Sequence, residues 1–421
     1  MMKNDNVKIT VLDDGLKVVT QTADFNSVFI AAYVKTGLKN ESDEENGLSH
    51  FLEHMLFKGT ETKTALQLSD SIEKLGGQCN AYTSIDTTVI HTSLIPEYWK
   101  FGVDFLADII QNSIFPKEEI ERERNVIMQE IAMHENDAMS EMFDYFTKNA
   151  YHGYPLGRSI LGTRKNITEF TRENLVNYFN KWYTANNIVI SACGSIDHNE
   201  FVDYIKSQFK SGFRLGNNNE KFINEFTPKE SRVQDIFNQS QFILAAKGLD
   251  LHATEKEKLI YATLQNVIDG GMSCRLFQEI REKHGLAYQV GLVAELLENT
   301  GYFGVHASLD EKNIDKAVEL SKQVLTSVKT NITDAELEKA KNAIMYSLSL
   351  GYDSCSSLAC MNGTCGLFGI KIKRYDEIKE MLKSITKQDL FDFAQQYIPD
   401  IAEDKYSLTV ITPYETLNRK N

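Results

Sequence analysis

The sequence predicts an α+β protein: two tandem homologous α/β domains, each a mixed, largely antiparallel sheet flanked by helices. Three observations predict it. Short β-branched runs and stretches of helical period share the whole chain. The order of these elements in the first half recurs in the second, as an internal duplication would produce. Strands also stand next to strands and helices next to helices, a pattern that favours mixed or antiparallel sheets over a doubly wound parallel one. At 421 residues the chain exceeds one ordinary core and suits two domains.

In the first half, VKITVLDDGLKVVTQT reads as a hairpin turning at Asp13-Asp14-Gly15. SVFIAAYVKTG is a continuous apolar run and reads as a buried strand. A helix is expected across GLSHFLEHMLFKGT (Gly47 to Thr60), then another over ALQLSDSIEKLGG. CNAYTSIDTTVIHTSLI reads as one strand. YWKFGVDFLADIIQNSIF and EEIERERNVIMQEIAMHEND both place apolar residues on one helical stripe. TRENLVNYFNKWY follows as a helix capped by Thr171, and NIVISACGSI as a closing strand.

The second half repeats this text. SQFILAAKGLD is a strand, ATEKEKLIYATLQNVI a helix, GLAYQVGLVAEL and GYFGVHASL strands, and NIDKAVELSKQVLTSV a helix. SITKQDLFDFAQQYI with YSLTVIT mirrors the Thr171 helix and its strand: Thr171 aligns with Thr386, Leu175 with Leu390 and Phe179 with Ala394. The expected boundaries are 1–213 and 227–421, joined by the polar linker 214–226.

Formal charge is −14 and the pI about 5.2. A nucleic-acid partner is not expected, because neutralising phosphates needs a basic face. The longest apolar runs are strand length, so no membrane segment is expected. The N-terminus shows neither an apolar signal core nor an Arg-rich amphipathic pattern, which points to a bacterial-type cytoplasm. A mitochondrial matrix location after presequence removal is the alternative. Six cysteines form no CxxC pair and read as free thiols.

His50-Phe51-Leu52-Glu53-His54 carries the chemistry. Residues four apart share a helix face, so His50 and His54 can offer two nitrogens to one ion. Glu53 lies beside them as a candidate base. Catalytic zinc takes three protein ligands and keeps one position for water. Two histidines leave that set incomplete, and a solvated helix turn would look the same. The third ligand is sought among Glu121, Glu123 and Glu130 on ERERNVIMQEI. Glu123 and Glu130 stand seven apart, on one side of the helix. One of them can ligate while the other holds a ligand imidazole through its second nitrogen.

On these motifs the chain resembles the pitrilysin family of zinc peptidases, the inverzincins with HxxEH, in its mitochondrial-processing-peptidase-like branch. The likeness spans essentially the whole chain. GLSHFLEHMLFKGT and ERNVIMQEI match, Glu130 follows His54 by 76 positions, and Glu123 precedes Glu130 by seven. The resemblance implies one zinc per chain held by His50, His54 and Glu130, with Glu53 as general base and Glu123 supporting the ligands. It also implies that GGQCNAYTSIDTT is the edge strand on which a peptide lies, nearest Asn80 and Ala81. GGMSCRLFQEIREKHGLAYQV looks like the family's Arg/Tyr element, with Arg281 and Tyr288 bonding the substrate carbonyl.

The family's proline after the ligand helix is missing from MHENDAMSEMFD, which reads as a loop difference. The expected activity is a zinc endopeptidase on extended, unfolded peptides, with basic ones favoured by the negative charge. A homodimer is the expected assembly, and a heterodimer with a metal-less relative the alternative. The competing class is a non-catalytic core or scaffold subunit of the same fold.

Overall fold

A computed structural model describes residues 6–210, 213–214, 216 and 222–414. Of the expected linker, positions 215 and 217–221 lie outside the described residues. Arg214, its first residue, is tied down: its Nε donates to the Tyr183 carbonyl at 2.9 Å and its guanidinium lies 4.1 Å from the centroid of the Phe179 ring.

Two compact units divide the chain. One contains segments 1–133, 158–222 and 350–375, the other 134–157, 223–349 and 376–421. The units therefore differ from the plain halves 1–213 and 227–421. Helix Ala138–Ala150 of the first half packs on the second sheet, and helix Cys355–Phe368 of the second half packs on the first. The reason is burial on both faces of each sheet. The central strands of both sheets are buried along almost their whole length and need a helical cover on either side. Small residues let the Cys355–Phe368 helix approach its sheet, since a Cβ on Gly363 would lie 2.2 Å from the Tyr33 ring.

The first sheet contains β1 (Val7–Val11), β2 (Lys17–Thr22), β3 (Val28–Val34), β4 (Gln78–Thr83), β5 (Thr88–Leu94) and β6 (Ile188–Gly194). Its order is β1-β2-β6-β3-β5-β4, antiparallel except for the β2–β6 pair. The second sheet contains β7 (Glu230–Asp235), β8 (Ser240–Lys247), β9 (Ala287–Leu296), β10 (Gly301–Leu309) and β11 (Ser407–Pro413). Its order is β7-β11-β8-β10-β9, antiparallel except for β7–β11. The expected mixed, largely antiparallel sheets flanked by helices are present in both units.

Two local expectations are corrected. The single strand over CNAYTSIDTTVIHTSLI is a hairpin of β4 and β5. Its turn closes because Ser84 N–H donates to the Thr87 carbonyl at 2.7 Å and the Ser84 hydroxyl to the same carbonyl at 3.0 Å. MHENDAMSEMFD is not a loop. One helix ends at Glu135 and the next starts at Ala138, with Asp137 as its cap accepting from Ser140 N–H at 2.8 Å. Strand β7, polar in sequence, gave no apolar signal because alternate residues face solvent. No helix among the described residues is long and apolar enough to cross a membrane.

Candidate active site

The motif sits on helix Leu48–Leu56. Leu48, Phe51, Leu52, Met55 and Leu56 are buried, so the period of the apolar stripe itself turns His50, Glu53 and His54 to the other face. Its N-cap is Gly47 at φ 103°, a left-handed conformation that favours glycine. A buried carboxylate, Glu41, closes the helix start, accepting from Gly47 N–H at 2.8 Å and Ser49 N–H at 2.7 Å. Burial pushes the Glu41 carboxyl up to about 7 against the pull of these donors.

Helix Lys117–Glu135 brings Glu123 and Glu130 to the motif helix, anchored by Ile120, Ile127 and Ile131 with Glu123 also buried. Glu130 Oε2 stands 3.7 Å from His50 Nε2 and 3.5 Å from His54 Nε2. These separations exceed a good hydrogen bond. They suit donors sharing one ion, because metal–donor bonds of about 2.0–2.2 Å put tetrahedral ligands about 3.3–3.6 Å apart. Glu130 Oε2 is buried with no hydrogen-bond partner, and the three ligand atoms all lie within 4.8 Å of one another. The donor set thus fits zinc. Burial, and then the like charge of His54, pull the His50 imidazole down to about 3, leaving it neutral and able to ligate.

His54 is oriented from behind. Its Nδ1 meets Glu123 Oε2 at 3.0 Å, and Lys58 Nζ holds Glu123 Oε1 at 2.7 Å. Burial alone would lower the His54 imidazole, but Glu123, Glu130 and Glu53 outweigh it and hold it above its usual value. Glu53 lies on the same helix face, accepting a hydrogen bond from the Thr83 hydroxyl at 2.9 Å. Burial raises the Glu53 carboxyl, with the Thr83 hydroxyl and His54 opposing.

The structure brings His50, Glu53, His54, Glu123 and Glu130 together. Asn80 and Ala81 lie on β4, the edge strand, which packs near the motif helix. Asn80 is exposed, and its side-chain oxygen accepts from Ala81 N–H at 2.9 Å. Arg281 and Tyr288 belong to the other unit. Arg281 sits in a π-helical turn, Phe277–Lys283, with Nη1 donating to the Tyr288 carbonyl at 2.8 Å. Tyr288, on the edge strand β9, is 80% exposed.

Family models settle the kinship. Residues 17–164 match Insulinase (Peptidase family M16), and residues 169–344 match the Peptidase M16 inactive domain. The chain belongs to peptidase family M16. This M16 chain is 33% identical to an uncharacterized zinc protease of Rickettsia felis, over 94% of its own length and 96% of the relative's. It is 32% identical to a probable mitochondrial-processing peptidase subunit beta of Arabidopsis thaliana, over 84% of its length and 68% of the relative's. Its fold matches the crystal structure of a protease from Helicobacter pylori at TM-score 0.87 and 20% identity, covering 97% of this chain and 99% of that one.

Three residues of the site were not singled out by sequence reasoning. Lys58 stands four after His54, a helical spacing that could have flagged it. Thr83 is two after Ala81, on the same strand face. Glu41 opens the acidic run ESDEEN, and nothing in its spacing marks it as the group that closes the motif helix. In the fold Glu41 and Asn46 are buried.

Proposed function

We propose that this M16 chain is a zinc-dependent endopeptidase that hydrolyses extended, unfolded peptides. The observation that carries the reading is the triangle of His50, His54 and Glu130, spaced as ligands, with Glu53 on the same face beside an edge strand. An edge strand offers backbone groups to which an extended peptide adds as a further strand, at Asn80 and Ala81. Zinc held by the three ligands supplies Lewis-acid polarisation and a more acidic water. Glu53 takes the proton of the attacking water and delivers it to the departing amine. Glu123, braced by Lys58, keeps His54 in its ligating orientation. We assign Arg281 and Tyr288 to the substrate carbonyl.

We further propose a homodimer in which each chain completes the other's site, acting in the cytoplasm and preferring basic peptides. Gel filtration showing a fully active monomer would remove the dimer. Equal turnover of Arg-rich and Asp-rich peptides at low salt would remove the charge preference.

The central test measures zinc content and cleavage of a quenched peptide by the wild type and by Glu53→Gln. Loss of general-base catalysis is expected to lower kcat by roughly 10²–10⁴-fold, with zinc still bound. A wild type that holds zinc and cleaves nothing sinks the reading.

A further inference from the structure

Thr83 is the last residue of β4, on the strand face shared by Cys79 and Ala81, both of which pack against the core of the first unit. That face looks toward the motif helix. From it the Thr83 hydroxyl donates to Glu53 Oε2 at 2.9 Å, across 30 positions of sequence. Ala81, where the peptide is proposed to lie, is two residues earlier, or about 6.8 Å along the strand. The strand that takes the substrate and the group that holds the base are therefore one element.

Thr83 is itself held in place. The turn that follows it is pinned from outside, because Leu38 N–H and Lys39 N–H donate to the Ser84 and Ile85 carbonyls at 3.3 and 3.0 Å. Lys39, almost fully buried, pairs with Asp86 at 3.0 Å. A Cβ on Gly37 would lie 2.2 Å from the Ser84 carbonyl oxygen, so the two segments meet at backbone contact distance. A β-branched side chain on such a backbone has few χ1 choices. Its hydroxyl is aimed rather than free. Glu53, by contrast, has three rotatable side-chain bonds and lies only partly buried.

We propose that Thr83 is a positioning residue for catalysis: its hydroxyl, carried on the substrate strand, fixes the Glu53 carboxylate so that one oxygen is committed to the strand and the other faces the reacting water. This rests on the reading of Glu53 as base. It adds that peptide binding on β4 and orientation of the base are mechanically one event, so the loss should appear in kcat and not in KM.

The experiment compares wild type, Thr83→Val, Thr83→Ser, Glu53→Gln and the Thr83→Val/Glu53→Gln double variant as full chains, with zinc content and thermal melting recorded for each. Thr83→Val is expected to bind zinc and melt like wild type, keep KM within about two-fold, and lose about 10- to 100-fold in kcat, the size of a hydrogen bond to a charged group. Thr83→Ser is expected to recover kcat to within about three- to five-fold, its hydroxyl restored without the β-branch. The double variant should be no slower than Glu53→Gln, because Thr83 acts through Glu53. A Thr83→Val enzyme with wild-type kcat overturns the proposal while leaving Glu53 as base. So does a change confined to KM, a Thr83→Ser enzyme as slow as Thr83→Val, or a further loss in the double variant. Parallel loss of zinc or folding with kcat in both Thr83 variants assigns the residue a structural role and overturns it as well. If Glu53→Gln cleaves as fast as wild type, the underlying reading fails and the proposal falls with it.

Discussion

Strand for strand, β2-β6-β3-β5-β4 of the first sheet corresponds to β7-β11-β8-β10-β9 of the second, with the single parallel pair in the same place. Each sheet ends on an exposed edge strand, and each is covered by a helix drawn from the other half of the chain. The HxxEH motif is not repeated. The first unit carries His50, Glu53 and His54 on the free face of a short helix. In the second, helix Glu255–Asp269 buries Leu259, Ile260, Thr263, Leu264 and Val267 and offers no such triad. The comparison teaches that the topology follows from where apolar residues fall, which a duplication copies. A metal site depends on a few polar side chains that the topology tolerates but does not require.

The comparison can be broken at the metal. Glu130→Ala removes a proposed ligand from the first unit alone. Its zinc affinity should fall by more than the roughly 10–100-fold that outer-shell replacements cost, with peptidase activity lost in step. Competition with a chromophoric chelator measures it, and unchanged affinity would take Glu130 out of the ligand set.

Packing gives the next largest effect, in the two borrowed helices. Gly363→Val forces atoms into the buried Tyr33 ring and is expected to cost about 3 kcal/mol. The matching probe in the second unit is Asn149→Ala. Asn149 Nδ2 reaches the Lys229 carbonyl at 3.0 Å and Thr409 Oγ1 at 2.9 Å, and its loss is expected to cost about 1–3 kcal/mol. Urea unfolding midpoints should fall in both, and a neutral Gly363→Val would mean the helix does not need its close approach.

The smallest effect is a pH dependence confined to the second unit. Arg275 and the Thr333 cap pull the Glu336 carboxyl down to about 2. A depressed carboxylate stabilises the fold above its unfolded value of about 4.3, and that contribution fades as pH falls toward about 2. Glu336→Gln should therefore flatten the acid limb of the stability curve between those values, leaving stability at the acid end unchanged. An unaltered slope in acid melts would contradict it.

Much of the site was legible from local spacing. HxxEH puts two nitrogens on one helix face, and the seven-residue step from Glu123 to Glu130 sets two carboxylates on one side of another, the resemblance then naming which of them is the candidate ligand. The stripe of leucines that buries the motif helix also fixes which face the histidines take. Lys58 and Thr83 were less legible because each makes its contact across the fold, and Glu41 because its bonds to Gly47 and Ser49 N–H, six and eight residues on, follow neither a helical nor a strand period. Lys58 reaches Glu123 over 65 positions and Thr83 reaches Glu53 over 30, spans on which periodicity is silent.

By itself the sequence determined the repeated strand and helix order and placed His50, Glu53 and His54 together on one helix, since burial period and residue spacing are properties of short stretches. The choice of Glu130 as third candidate ligand came from the family resemblance. Tertiary structure alone decided that CNAYTSIDTTVIHTSLI folds back as a hairpin. It also decided that each half lends a helix to the other's sheet, and that the strand proposed for substrate grips Glu53. The physical reason is the same in each case: a turn held by backbone bonds, a cover for a two-faced apolar sheet and a hydroxyl aimed at a distant carboxylate are all relations between segments, and they exist only once the chain has closed its loops.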